Sequence, residues 1–119
     1  MDNTICYIEF MSNNLGQTSE FFNKLFGWKM TPSGDNYVIW DPGTGAEGGF
    51  QLEPLDKCGP EANRTIAYVQ VDDIEAKCKQ VENLGGTVVV PKTKISDEYG
   101  FFALFRDPQG TLVGLWNKT

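Results

Sequence analysis

Two short stretches decide the architecture: Trp40-Asp41-Pro42-Gly43 in the first half of the chain and Arg106-Asp107-Pro108-Gln109-Gly110 in the second. Proline presets φ, aspartate caps its own turn and glycine accepts the backbone angles that other residues resist, so each stretch reads as a strand-joining turn. The sequence around them is also duplicated. A shift of 59 positions lays Leu15, Leu25, Gly27 and Pro32 on Ile74, Leu84, Gly86 and Pro91; at the turns the offset, from Asp41 to Asp107, has become 66. Seven extra residues therefore lie between Pro91 and Phe101 in the second copy. A duplicated unit predicts two copies of one substructure, with a cleft between them.

Working outward, Cys6–Met11 reads as a strand, and Ser12, Asn13 and Asn14 offer capping oxygens to a helix over 15–26 that Gly27 ends. Leu15, Phe22, Leu25 and Phe26 share one face of that helix. Trp28–Met30, Tyr37–Trp40 and Gly49–Leu52 follow as short strands, and the segment around 55–63, rich in acids and proline, reads as a linker. The second copy repeats the order: a strand over Thr65–Val71, a helix capped by Asp72 or Asp73, a stop at Gly85-Gly86, then strands at Thr87–Pro91, Phe101–Arg106 and Thr111–Trp116. The expected fold class is α+β. It consists of two tandem βαβββ modules (1–54 and 64–119) in one domain of 119 residues, with curved mixed sheets around a cleft and helices on the outer face.

Composition narrows the function. A net charge of −6 disfavours nucleic acid and anionic membrane surfaces as partners and mildly favours a cationic ligand. No apolar run approaches the roughly 20 residues of a membrane span. Met1-Asp2-Asn3-Thr4 lacks a secretory pattern, and three scattered cysteines (Cys6, Cys58, Cys78) make no disulfide framework. A cytoplasmic location with reduced thiols is the expectation.

Leu25-Phe26-Gly27-Trp28, Gly48-Gly49-Phe50, Val71-Asp72-Asp73-Ile74, Leu84-Gly85-Gly86 and Phe105-Arg106-Asp107-Pro108-Gln109-Gly110, in this order, resemble the vicinal oxygen chelate superfamily. That group contains glyoxalase I, bleomycin-resistance proteins and extradiol dioxygenases. In its metal-dependent members the resemblance implies two histidines and one or two carboxylates around a divalent ion. Here those positions fall on Tyr7, Ile66, Gly48 and Gly114, and the chain contains no histidine. No metal and no other cofactor is therefore expected. Glu9 is the nearest acid on the inward face of the first strand, while Glu47, beside Gly48, is expected to face the other way.

Alternation from Tyr7, Ile66 and Gly114 places Glu9, Met11, Tyr68, Gln70, Leu112 and Trp116 on the inward face, with Trp40 and Phe102 as further possible lining. Ile8, Phe10, Ala67, Val69, Val113 and Leu115 then form the uniformly apolar face beneath the helices. The expected ligand-binding set is Tyr7, Glu9, Tyr68, Gln70, Trp116, Gly48, Gly114 and Ile66, with the glycines leaving room. Aromatic rings offer stacking surface to a planar or cationic ligand, and Glu9 a single charged anchor.

The alternative is that the rings fill the space and leave a closed core, or serve a contact between subunits. The resemblance implies a metal-independent small-molecule binding protein, a homodimer like the bleomycin-resistance proteins. The competing reading is a lyase or isomerase that would use Glu9 and Tyr7 without the usual metal site. Asp41 and Asp107 read as turn caps, and the sequence leaves open whether the Lys92–Gly100 insertion covers the cleft as a lid.

Overall fold

A computed structural model describes residues 6–54 and 65–119, so the linker at 55–63 lies outside the described residues. The first module runs β1 (Tyr7–Ser12), α1 (Leu15–Phe26), β2 (Lys29–Pro32), β3 (Tyr37–Asp41) and β4 (Glu47–Leu52). The second runs β5 (Ala67–Gln70), α2 (Ile74–Asn83), β6 (Thr87–Ser96), β7 (Gly100–Arg106) and β8 (Leu112–Asn117). Each module folds into a four-stranded mixed sheet, in the orders β1-β4-β3-β2 and β5-β8-β7-β6. In both, the first and last strands pair parallel and the rest antiparallel.

The helix boundaries follow local chemistry. Asn14 caps α1 by accepting from the Gln17 amide, and Gly27 ends it at a φ of 74°. Asp73 does the same for α2 through Ala76. The two Asp-Pro turns are built as their sequences suggest: the Asp41 carboxylate accepts from Gly43, and that of Asp107 from both Gln109 and Thr111.

One aromatic cluster joins the modules. Phe22 of α1 packs on Phe50 of the first sheet with ring centroids 5.1 Å apart, while its neighbour Phe21 reaches Phe105 of the second at 6.2 Å. Lys77 and Gln80 of α2 donate to the carbonyls of Leu25 and Lys24 at the end of α1. Phe10, Val113 and Leu115 belong to the buried core, and Ile8, Ala67 and Val69 pack against it, as alternation predicts. Both sheets therefore turn one face to a shared core and the opposite, open face away from it.

One expectation needs correction, and one open point is answered. Trp40 is not on the open face of its sheet: it is 4% exposed, stacks on Trp28 at 4.4 Å, and borders instead a cavity of about 870 Å³ between the modules, on the core side of the sheets. The insertion after Pro91 is not a separate covering loop. It lengthens two strands, so β6 has 10 residues against 4 in β2, and the pair projects as a hairpin arm with a turn at 97–99. Strand pairing absorbed these residues because they alternate, Lys92-Thr93-Lys94-Ile95, without an interior glycine or proline.

Candidate functional site

The open face of the first sheet is polar. Register puts Tyr7 opposite Glu47, and Glu9 opposite Gly49, which faces Ile39 on its other side. The Tyr37 hydroxyl donates to Glu9 Oε1 at 2.8 Å and stands 2.8 Å from the Tyr7 hydroxyl. Since Tyr37 has one proton and gives it to the carboxylate, Tyr7 donates to Tyr37. Burial, followed by the bonds to Tyr7 and Glu9, holds the Tyr37 phenol well above its ordinary pKa, so it remains a donor. The result is a directed chain, Tyr7 to Tyr37 to Glu9, with the carboxylate's second oxygen still able to accept from a ligand.

Tyr37 escaped the sequence reading, although a signal was present. In Tyr37-Val38-Ile39-Trp40 the even positions are the core-facing ones, which sends Tyr37 to the open face. Its ring crosses Gly49, where a Cβ would overlap the phenol. Glycine at this position is what lets the hydroxyl reach the first strand.

Gly48 was expected on the open face and is not there. Its partners across the sheet are Ile8 and Trp40, and a Cβ at this position would overlap the Ile8 carbonyl and lie 2.5 Å from the Trp40 ring. The equivalent of Gly114 is Gly49, since Tyr68 pairs with Gly114 as Glu9 pairs with Gly49. The repeat offset is 65 in these strands, whereas the Asp-Pro turns are 66 apart, because Asp41 is the last residue of β3 while Asp107 follows β7. One residue of slip moves a side chain to the other face. The same slip brings Glu47 onto the open face beside Tyr7, against expectation.

The open face of the second sheet is aromatic. Tyr68, Phe102, Trp116 and Ile95 line a cavity of about 500 Å³. Tyr68 is 52% exposed, and its ring lies over Gly114. The expected role of the two glycines as open space is thus also corrected: Gly114 sits beneath Tyr68 as Gly49 sits beneath Tyr37. Gln70 shares register with Trp116 and Phe102. Ile66 lies just before β5 and is half-buried.

A single chain leaves the predicted residues in two groups. Tyr7 and Glu9 are on one open face and Tyr68, Gln70 and Trp116 on the other. Among the described residues no hydrogen bond or ring contact links the groups. The metal-ligand positions do not fit a metal: Ile66 is apolar, Gly114 is covered by a phenol ring and Gly48 faces the core. Among the described residues no three His, Cys, Asp or Glu converge as a metal site would need. Nor is any helix there long and apolar enough to cross a membrane.

The wider comparison agrees with this layout. A family model described as a glyoxalase-like domain matches residues 7–115. CFP32 of Mycobacterium tuberculosis, named as a candidate glyoxylase, is 30% identical over 92% of this chain and 44% of its own length. The anthracycline biosynthesis protein DnrV of Streptomyces peucetius is 27% identical over 90% of this chain and 44% of its own. The chain therefore spans less than half the length of these relatives. Among solved structures, TnmS3, an antibiotic binding protein from Streptomyces sp. CB03234, shares the fold with a TM-score of 0.73 over 98% of this chain and 97% of that one, at 20% identity. With two βαβββ modules in order and a family match over residues 7–115, the chain belongs to the glyoxalase-like domain family.

Proposed function

We propose that this protein is a metal-independent, cytoplasmic binding protein for a planar, cationic small molecule. The observation that carries the reading is the split polarity of the two open faces. One offers the Tyr7–Tyr37–Glu9 chain and Glu47; the other offers the rings of Tyr68, Phe102 and Trp116. A ligand with an aromatic ring and an amine satisfies both, the ring by stacking and the amine by a charge-assisted bond to Glu9. Gln70 orients it through its amide, Gly114 keeps the Tyr68 ring flat, and Ile66 closes the apolar end. Relatives that bind antibiotics and take part in anthracycline biosynthesis support a ligand of that size.

Because the two faces point away from a shared core, the complete site needs two copies, the acidic face of one against the aromatic face of the other. The molecule is then a homodimer with two equivalent sites. Among the described residues, five of the six exposed large hydrophobics (Tyr7, Met11, Tyr68, Ile95 and Tyr99) belong to these faces or to the hairpin arm, which supports their being covered in the assembly. Neither nucleic acid nor membrane is a partner in this reading.

Calorimetric titration of chelator-treated protein with proflavine, a planar cation, tests the reading, with light scattering for the oligomeric state. Binding by a dimer, weakened in both Glu9→Gln and Trp116→Ala, is the expected result. A monomer that binds nothing organic, or whose stability rises only with a divalent metal, overturns it.

A second reading keeps one specific observation in its favour. A phenol chain ending on a carboxylate could move a proton to or from a bound substrate, with Glu9 and Tyr7 as base and acid in a lyase or isomerase. Turnover that survives chelation and disappears in Glu9→Gln would bring it forward.

A further inference from the structure

The second module has one element that the first lacks, the arm formed by the ends of β6 and β7. We infer that this arm is the specificity element of the aromatic face, with Ile95 as the wall that sets which ring systems fit. The inference rests on the binding reading above and refines it.

Three features of the arm point this way. Lys94 pairs with Phe101 and Ser96 with Gly100, which leaves Ile95 as the extra residue of a β-bulge. Bulges bend a strand and re-aim a side chain, and they gather beside binding sites. Ile95, 47% exposed, is aimed at the cavity that Tyr68, Phe102 and Trp116 complete. An isoleucine left half in water at the end of a hairpin contributes little to the fold, whereas against a bound ring it would bury that surface.

The arm is also held in place by the aromatic residue it faces. The Trp116 indole N–H donates to the Tyr99 carbonyl at 2.7 Å, and the Lys118 ammonium donates to the carbonyl of Glu98. At the tip the Tyr99 amide donates to the Ser96 hydroxyl, and Gly100 takes a φ of 77°, which suits the glycine at the end of a three-residue turn. Trp116 thus has two uses at once. Its ring face is a stacking surface and its N–H fixes the distance between that surface and Ile95.

All four lining side chains are apolar or aromatic, so the part of the ligand that enters here is an uncharged planar ring, and its cationic group lies outside, toward Glu9. The width of that ring system is what Ile95 limits.

Titration calorimetry with two probes, 6-aminoquinoline (two fused rings) and proflavine (three), on the full chain tests this. Ile95→Ala should weaken both probes by about tenfold through lost contact area. Ile95→Phe should discriminate, weakening proflavine much more than 6-aminoquinoline. Trp116→Phe, which keeps a ring but frees the arm, should reduce the difference between the two probes. If the parent binds both probes and the Ile95 variants match it, the arm has no such role and the binding reading stands. If the parent binds neither probe, both are overturned. Ile95 is exposed, so circular dichroism of these variants should be unchanged.

Discussion

The two modules solve the same geometric problem with different chemistry. In each, a glycine on the open face of the strand next to the first lies flat beneath a tyrosine ring: Gly49 beneath Tyr37, Gly114 beneath Tyr68. In the first module the tyrosine comes from β3, the antiparallel neighbour, and crosses toward Glu9 and Tyr7. In the second it comes from β5, the parallel neighbour, and opens toward Phe102 and Trp116. The source strand decides what the hydroxyl can reach. One face becomes a hydrogen-bonded chain ending on an anion and the other a stacking surface, although the backbones are copies. Duplication fixes the frame and leaves side chains free to divide the labour.

The comparison can be broken most forcefully at Gly48. Its Cβ position is occupied by backbone, the Ile8 carbonyl, which cannot rotate away. Gly48→Ala should cost about 4 kcal/mol or more and abolish cooperative unfolding, as read by thermal denaturation. Full stability in this variant would mean that β1 and β4 are not in the stated register.

The two Asp-Pro turns give the next test. Asp41 is exposed, whereas Asp107 is 3% exposed, and burial outweighs the bonds from Thr111, Gln109 and Gly110 to push its carboxyl up to about 6. A raised acid pKa in the folded state stabilises the fold below the unfolded value of 3.8, and that benefit is lost as pH rises through 6. The span from 3.8 to about 6 corresponds to about 3 kcal/mol. Asp107→Asn should remove this pH dependence between 4 and 6 in denaturant titrations, while Asp41→Asn leaves it intact.

Trp116→Ala should weaken proflavine by about thirtyfold, the value of a lost aromatic platform, at unchanged stability. Tyr37→Phe should weaken it only severalfold, and should leave a neutral planar probe unaffected. Equal losses for charged and neutral probes in Tyr37→Phe would mean that the two faces are not chemically divided.

The smallest effect separates the paired glycines. At both positions a new methyl meets a side chain that can swing away. Gly49→Ala should cost about 1 kcal/mol because Tyr37 is half-buried and loses its bond to Glu9. Gly114→Ala should cost a few tenths, since the Tyr68 ring it displaces is mostly in water.

Much of this was legible in the sequence, and the failures have one cause. Helix limits were readable because Asn14, Gly27 and Asp73 act within a few residues of themselves. The split of Ile8 and Phe10 from Tyr7 and Glu9 was readable because strand alternation is strictly local. Gly48 and Glu47 were misassigned because the offset between turns was carried into a strand, and a turn can gain or lose one residue without any local sign. Tyr37 was missed for a related reason: its role depends on reaching diagonally across a neighbouring strand, which no spacing along the chain records. The β6–β7 arm was visible as an insertion. Its bond to Trp116 joins residues 17 positions apart and had to be seen in the fold.

The distribution of tryptophans gives the molecule two independent optical reporters. Trp28 and Trp40 are stacked at 4.4 Å and 17° in the core, close enough for their transitions to couple and give a split circular dichroism band that disappears on unfolding. Trp116 stands apart on the open face, where its emission responds to whatever ring lies against it. One sample in one cuvette can therefore report the state of the fold and the occupancy of the aromatic face as separate signals, without any label attached.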